Sequence, residues 1–198
     1  MKRIISALHF EWNDMSECIG RAVDEFGLDG VECSWAGIYE RPHCTHADLD
    51  VLAAITKRRE LPLGAHIWED PAQEDVSKVQ QHLLGWLNLC EKNGTTNLVV
   101  HGGTFPDQKA GIANVRRMLE GVLADFERKG VVLDLENHYA YDYHDGEELL
   151  NEPWEFKVIC SRGSPSLGFC FDTGHGNMTK NSEALIRELA PWVRYIHM

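Results

Sequence analysis

Residues 130–138, GVVLDLENH, set four apolar side chains (Val131, Val132, Leu133, Leu135) between a glycine and an acid, Glu136. The length, the β-branched content and the bounding Gly130 predict a strand buried on both faces. Just upstream, residues 110–129 carry Val115, Met118, Leu119, Val122 and Phe126 at helical spacing and stop at Gly130, which suits a helix C-terminus. Downstream, residues 166–175, SLGFCFDTGH, repeat the plan: an apolar run that ends on an acid, Asp172. A helix feeding a strand, followed by a second strand of the same kind, is the unit of a parallel sheet.

The same unit recurs outward in both directions. Further strand-like runs are RIISALHF (3–10), DGVECSW (29–35), LPLGAHIW (61–68), TNLVVHGG (96–103) and VRYIHM (193–198). Asn13 or Asp14 can cap a helix with Ile19, Val23 and Phe26 on its apolar face, ending at Gly27. Pro71 is expected in the first turn of a long helix carrying Val76, Val79, Leu83, Leu84 and Leu87 and stopping near Asn93 and Gly94. Residues 147–162 and 181–191 are shorter helical candidates. No linker breaks the composition, so residues 1–198 are expected to be one α/β domain.

Two architectures share this alternation, a doubly wound open sheet and a (β/α) TIM barrel. Neither GxGxxG after the first strand nor GxxxxGK[ST] anywhere is present, which removes support for the nucleotide-binding open sheets. His9, Glu32, His66, His101, Glu136, Asp172 and His197 all fall at the C-terminal ends of the runs. In a barrel those ends converge on one mouth, where chemistry is expected. An eight-unit barrel takes roughly 250 residues, whereas the seventh run closes at Met198. The expectation is therefore a TIM barrel with strands 1–7 present and strand 8 missing. Its uncovered edges would favour either a homo-oligomer or a poorly stable species.

Thirty-one acidic against 19 basic residues give a net charge of −12, which disfavours a nucleic-acid surface. The opening MKRIISALHFEWND reaches Glu11 and Asp14 before any apolar stretch could span a bilayer, so neither a membrane span nor a signal peptide is expected. Six cysteines without a CxxC pair read as reduced thiols, most of them buried, in a cytoplasmic protein.

Glu136, Asp172 and His197 end consecutive strands, and two carboxyls with one imidazole make a plausible divalent-cation site. Carboxylates suit Mg²⁺ and Mn²⁺, while imidazole moves preference towards Mn²⁺, Co²⁺, Fe²⁺ or Zn²⁺. His66 and His101 can complete a second site with Glu136 as the bridge. The bland alternatives are hydrogen-bonded structural histidines and an ordinary Asp-Thr-Gly turn. Glu32 and His9 can contact substrate or orient a ligand, or else form structural pairs. Trp12, Trp35 and Trp68 follow strand ends and can wall a sugar ring or simply pack under the loops. His138 and Tyr139 are expected beside the ligands rather than among them. His43, His46, His82 and His144 read as surface residues, and the run DGEE (145–148) as a solvated helix start.

In DGVECSW, LVVHGG, VVLDLENH, LGFCFDTGHGNM and RYIHM the sequence resembles the xylose isomerase-like TIM-barrel superfamily. That group holds sugar and sugar-phosphate isomerases and epimerases together with apurinic endonuclease IV. The resemblance implies that Glu136, Asp172 and His197 bind one divalent metal (Mn, Co, Zn or Mg), a set normally completed by a glutamate ending strand eight. It further implies that Glu136 is also an acid/base group and that His175 faces the substrate oxygens. The activity implied is isomerisation or epimerisation of a small sugar, sugar phosphate or related polyol. The endonuclease branch is implied as an alternative, because its zinc set matches His66, His101, Glu136, Asp172, His175 and His197. A dehydratase of a cyclic hydroxy acid and a non-catalytic barrel are further alternatives.

Overall fold

The computed structural model describes residues 3–6, 15–35, 46–140, 146–161 and 163–198. The chain runs β1 (Ile4–Ser6), α1 (Met15–Asp24), β2 (Gly30–Trp35), α2 (His46–Arg58), β3 (Leu63–Ile67), α3 (Val76–Asn93) and β4 (Asn97–Val100). It continues through a short β5 (Thr104–Phe105), α4 (Gln108–Lys129), β6 (Val132–Glu136), a short β7 (Glu147–Glu148), α5 (Pro153–Cys160) and β8 (Leu167–Asp172). Then come α6 (Thr173–Thr179), α7 (Ser182–Leu189), a 3-10 turn at Ala190–Trp192 and β9 (Val193–His197).

Seven strands pair in parallel in the order β1-β2-β3-β4-β6-β8-β9, while β5 and β7 form a separate antiparallel pair. Strictly sequential parallel order is the wiring of a (β/α) barrel, because a doubly wound sheet reverses its order at a switch point. The sheet is thus seven strands of an incomplete TIM barrel. Among the described residues β1 and β9 each have one neighbour in it.

The register sorts the side chains by face. Val31, Leu63, Ala65, Ile67, Leu98, Val100, Leu133, Leu135, Leu167, Phe169 and Phe171 belong to one continuous apolar core with the helices. The alternate positions, Glu32, Gly64, His66, Asn97, Asp134, Glu136, Asp172 and His197, point to the other, inner face. The inner face of the curved sheet is therefore polar, and its most C-terminal row carries the ionisable residues. Two glycines let this interior close up. A Cβ on Gly168 would stand 2.1 Å from Asp134 Oδ1, and one on Gly64 would stand 2.5 Å from the Tyr195 hydroxyl.

Local chemistry fixes the helices that carry the strands. Asp75 Oδ1 accepts from Lys78 N at 3.0 Å to start α3, and Gly94, with φ of 73°, ends it. Asp107 Oδ1 accepts from Ala110 N at 2.8 Å to start α4, and Gly130, with φ of 67°, ends it. Leu83, Leu87, Val115, Met118 and Phe126 are fully or almost fully buried, contributing about 2 kcal/mol each.

Several sequence expectations are corrected. The long helix begins at Val76 and not at Pro71, because Asp70 Oδ1 accepts from Ala72 N at 3.1 Å and holds residues 70–72 in a turn. Helix α2 was not anticipated. The segment expected as a helix from residue 147 opens instead with β7, and α5 starts only at Pro153, behind a capping box between Glu152 and Glu155. Phe26 lies 64% exposed and takes no part in the apolar face of α1. His9, Trp12, Asn13, Asp14, His43, Cys44, His144 and the side chain of Trp35 lie outside the described residues. Among the described residues no disulfide joins the other five cysteines.

Candidate metal centre

Glu136 is the last residue of β6, 1% exposed, and both of its oxygens are surrounded by imidazoles. Oε1 lies 2.9 Å from His197 Nδ1 and 3.5 Å from His175 Nδ1. Oε2 lies 2.8 Å from His66 Nε2 and 3.3 Å from His101 Nε2. The His66 contact is a hydrogen bond, whereas His101 Nε2 is buried without hydrogen-bond geometry to any partner. Burial alone would raise the Glu136 carboxyl, but the surrounding imidazoles of His101, His197 and His66 override it and hold the group well below the usual carboxylate range.

Asp172 ends β8 in register with His197, and its Oδ2 lies 3.9 Å from His197 Nδ1. Its Oδ1 caps α6 by accepting from His175 N at 2.6 Å, so one carboxyl both ends the strand and starts the helix. The structure thus brings Glu136, Asp172 and His197 to one place, with His66 and His101 on the far side of Glu136. His175 stands beside Asp172, its Nδ1 donating to the Asn137 carbonyl at 2.8 Å. Glu32 reaches the same cluster from β2, with Oε2 3.0 Å from His197 Nε2. His197 is thereby gripped between two glutamates. Burial disfavours its cation, yet hydrogen bonds with Cys170, Glu136 and Glu32 reverse the effect and raise it above the ordinary histidine range. Burial keeps His101 neutral instead, and the nearby Glu136 only partly opposes this.

Trp68 stands against His66 and His101, with ring centres 5.9 and 5.6 Å away, so it forms part of the wall of this cluster. His82, by contrast, lies on α3 with its side chain half-exposed beside Glu69.

The donor set fits a divalent cation. Glu32, Glu136 and Asp172 find only histidines as ion-pair partners among the described residues; no lysine or arginine balances them. Ligand atoms of Glu136, Asp172 and His175, and separately of His66, Glu136 and His197, lie within 4.8 Å of one another. Carboxyl oxygens with imidazole nitrogens are the ligands of Mn²⁺, Co²⁺ and Zn²⁺ sites.

Two residues of the cluster were not assigned these roles from the sequence. Asn137 clamps the backbone of Asp172 with both ends of its amide, and it is fully buried. Glu148, expected in a solvated run, is 10% exposed at its side chain, with Oε1 3.1 Å from His138 Nδ1. Their only local signals were an Asn directly after the strand-ending acid and an acid in a charged run. Neither signal discloses a partner distant in sequence.

No match was found among curated protein sequences. Among solved structures, a D-psicose 3-epimerase in the presence of D-fructose aligns with a TM-score of 0.77 at 19% identity, over 100% of this chain and 72% of that one. A D-psicose 3-epimerase with D-tagatose from Clostridium cellulolyticum H10 gives 0.77 at 18% identity, over 100% and 72%. A 3-keto-D-glucoside 4-epimerase from E. coli gives 0.72 at 15% identity, over 100% and 78%. At these identities the likeness shows the fold. The family model described as xylose isomerase-like TIM barrel matches residues 21–198, and the chain belongs to that family.

Proposed function

We propose that this protein is a metal-dependent isomerase or epimerase of a small sugar, sugar phosphate or related polyol, acting in the cytoplasm. The observation that carries the reading is the buried Glu136 at the centre of the mouth, ringed by four imidazoles, with Asp172 and His197 beside it. Family membership and structural neighbours that are themselves sugar epimerases support it. No helix among the described residues is long and apolar enough to cross a membrane.

Glu136, Asp172 and His197 would hold the cation, Mn²⁺, Co²⁺, Zn²⁺ or Mg²⁺, and His66 and His101 offer imidazoles for a further ion on the other oxygen of Glu136. A cation held there supplies Lewis acidity, which makes the hydrogen next to a sugar carbonyl acidic enough to leave. Glu136, kept ionised by its imidazole shell, accepts that proton. A second acid/base group returns a proton, to the neighbouring carbon in isomerisation or to the opposite face in epimerisation. Glu32 holds His197 in orientation from its far nitrogen, as carboxylates do for ligating histidines. His175 and Trp68 bind the substrate, the first through oxygens and the second through an apolar ring face. His9, at the end of the first predicted strand, is proposed for the same rim. The −12 charge argues against the endonuclease alternative, because no excess of cations is available for a phosphate backbone.

The test is conversion of a ketose panel that includes D-fructose and D-tagatose, with and without Mn²⁺ after chelator treatment. Mn²⁺-dependent conversion that Glu136→Gln abolishes and His82→Ala retains is the expected result. Conversion that is indifferent to chelation, or undiminished in Glu136→Gln, overturns the reading.

A further inference from the structure

Three histidines leave the C-terminal ends of successive parallel strands: His101 after β4, His138 after β6 and His175 in α6 after β8. Their ring centres are 4.4 Å apart for His101 and His138, 4.6 Å for His138 and His175, and 5.6 Å for His101 and His175. Three imidazoles on one tetrahedral ion, each bonded at about 2.0–2.1 Å, set their ring centres about 5 Å apart. One ring nitrogen from each lies within 4.8 Å of those of the other two.

The hydrogen-bonding surroundings point the same way. The Asn137 carbonyl can only accept, so His175 Nδ1, 2.8 Å from it, carries the hydrogen of the neutral ring and Nε2 is left with its lone pair. Glu148 Oε1 lies 3.1 Å from His138 Nδ1 without hydrogen-bond geometry to it, close enough for a carboxylate to support a ligating histidine. His101 Nε2 is buried 3.3 Å from Glu136 Oε2, without hydrogen-bond geometry to it.

We propose that His101, His138 and His175 form a second cation site, supported by Glu148, that takes borderline ions such as Zn²⁺ or Co²⁺ in preference to Mg²⁺ or Mn²⁺. All three donors are nitrogens, whereas Glu136, Asp172 and His197 supply two carboxyls and one nitrogen, so the two sites select differently. The proposal rests on the reading of this mouth as cation-binding. In it His101 and His175, offered above to an ion on Glu136 and to substrate, are instead ligands of this second ion, and His66 stays a hydrogen-bond partner of Glu136.

The metal-stripped full chain is dialysed against defined free Zn²⁺ or Mn²⁺, and bound ions per chain are counted by mass spectrometry. Two Zn²⁺ and one Mn²⁺ are expected. His138→Ala should retain one Zn²⁺ and one Mn²⁺, and Glu148→Gln should weaken the second Zn²⁺ by about 10–100-fold while leaving Mn²⁺ unchanged. Asp172→Asn should do the converse, losing Mn²⁺ while keeping one Zn²⁺, and that result judges the first site separately. One Zn²⁺ in the unmodified chain, or a second Zn²⁺ of unchanged affinity in the substituted chains, overturns the proposal. Should circular dichroism show His138→Ala unfolded, the shape-conserving Glu148→Gln decides alone.

Discussion

The side-chain amide of Asn137 closes on both backbone groups of Asp172: Oδ1 accepts from the Asp172 N–H at 2.7 Å, and Nδ2 donates to the Asp172 carbonyl at 2.9 Å. The Asn137 carbonyl also accepts from His175 Nδ1. One residue beyond β6 therefore fixes where the strand β8 ends and where α6 begins. Asn137→Ala should leave two part-buried backbone groups without these partners and cost about 1–3 kcal/mol, read from urea denaturation. Mn²⁺ affinity should fall about 10–100-fold as Asp172 loosens. Asn137→Asp, which keeps the acceptor and loses the donor, should fall between the two. An Ala variant of undiminished stability and affinity would refute the clamp.

Asp70 offers a pH-dependent check on the loops around the mouth. Burial raises its carboxyl from the ordinary 3.8 to about 6, against the lowering effect of the Ala72 and Thr104 N–H groups, and Glu148 and Glu69 push it further up. The folded state then holds this proton more tightly than the unfolded chain does. Its stabilising contribution is complete below about pH 4 and is lost as pH rises through about 6, a change of about 1–3 kcal/mol. Asp70→Asn removes the loss, so the variant should be the more stable of the two at pH 7–8 and gain nothing near pH 4. Urea midpoints across that range give the comparison, and a variant weaker at pH 8 would contradict it.

Gly168 tests the packing of the polar interior. An added methyl would meet Asp134 Oδ1 at 2.1 Å, Arg194 Cγ at 2.6 Å and Arg194 Cβ at 3.0 Å. Asp134 is completely buried, and its other oxygen accepts from Asn97 Nδ2 at 2.9 Å. Gly168→Ala should therefore cost about 1–3 kcal/mol, with a lowered thermal midpoint. An unchanged midpoint would mean that β8 and β9 can part without loss.

The strand plan was legible because most of the seven strands are apolar runs with an ionisable residue at or just after their C-terminal end, and seven such runs in sequence permit few other parallel folds. Glu136, Asp172, His66, His101 and His197 could be singled out for the same reason, since their place at a strand end is a local property. What could not be read depended on contacts distant in sequence. Glu148 looks like one member of a charged run until β5, some forty residues earlier, pairs with it and its carboxyl comes within 3.1 Å of His138 Nδ1. The late start of α3 depends on the turn that Asp70 makes with Ala72, which competes with Pro71 as a helix opener. Helix α2 has Leu52 and Ile55 buried, but the small residues between them blur its apolar stripe.

The most direct measurement is deuterium wash-in. A ketose is incubated in D₂O with the protein and Mn²⁺, and the hydrogens on the carbons beside the carbonyl are followed by NMR. Proton abstraction needs only Glu136 and the cation, so exchange should occur in the unmodified chain, cease on chelation and be absent from Glu136→Gln. Exchange of equal rate in Glu136→Gln, or none in the unmodified chain at saturating ketose and Mn²⁺, would contradict the assignment of Glu136 as the proton acceptor.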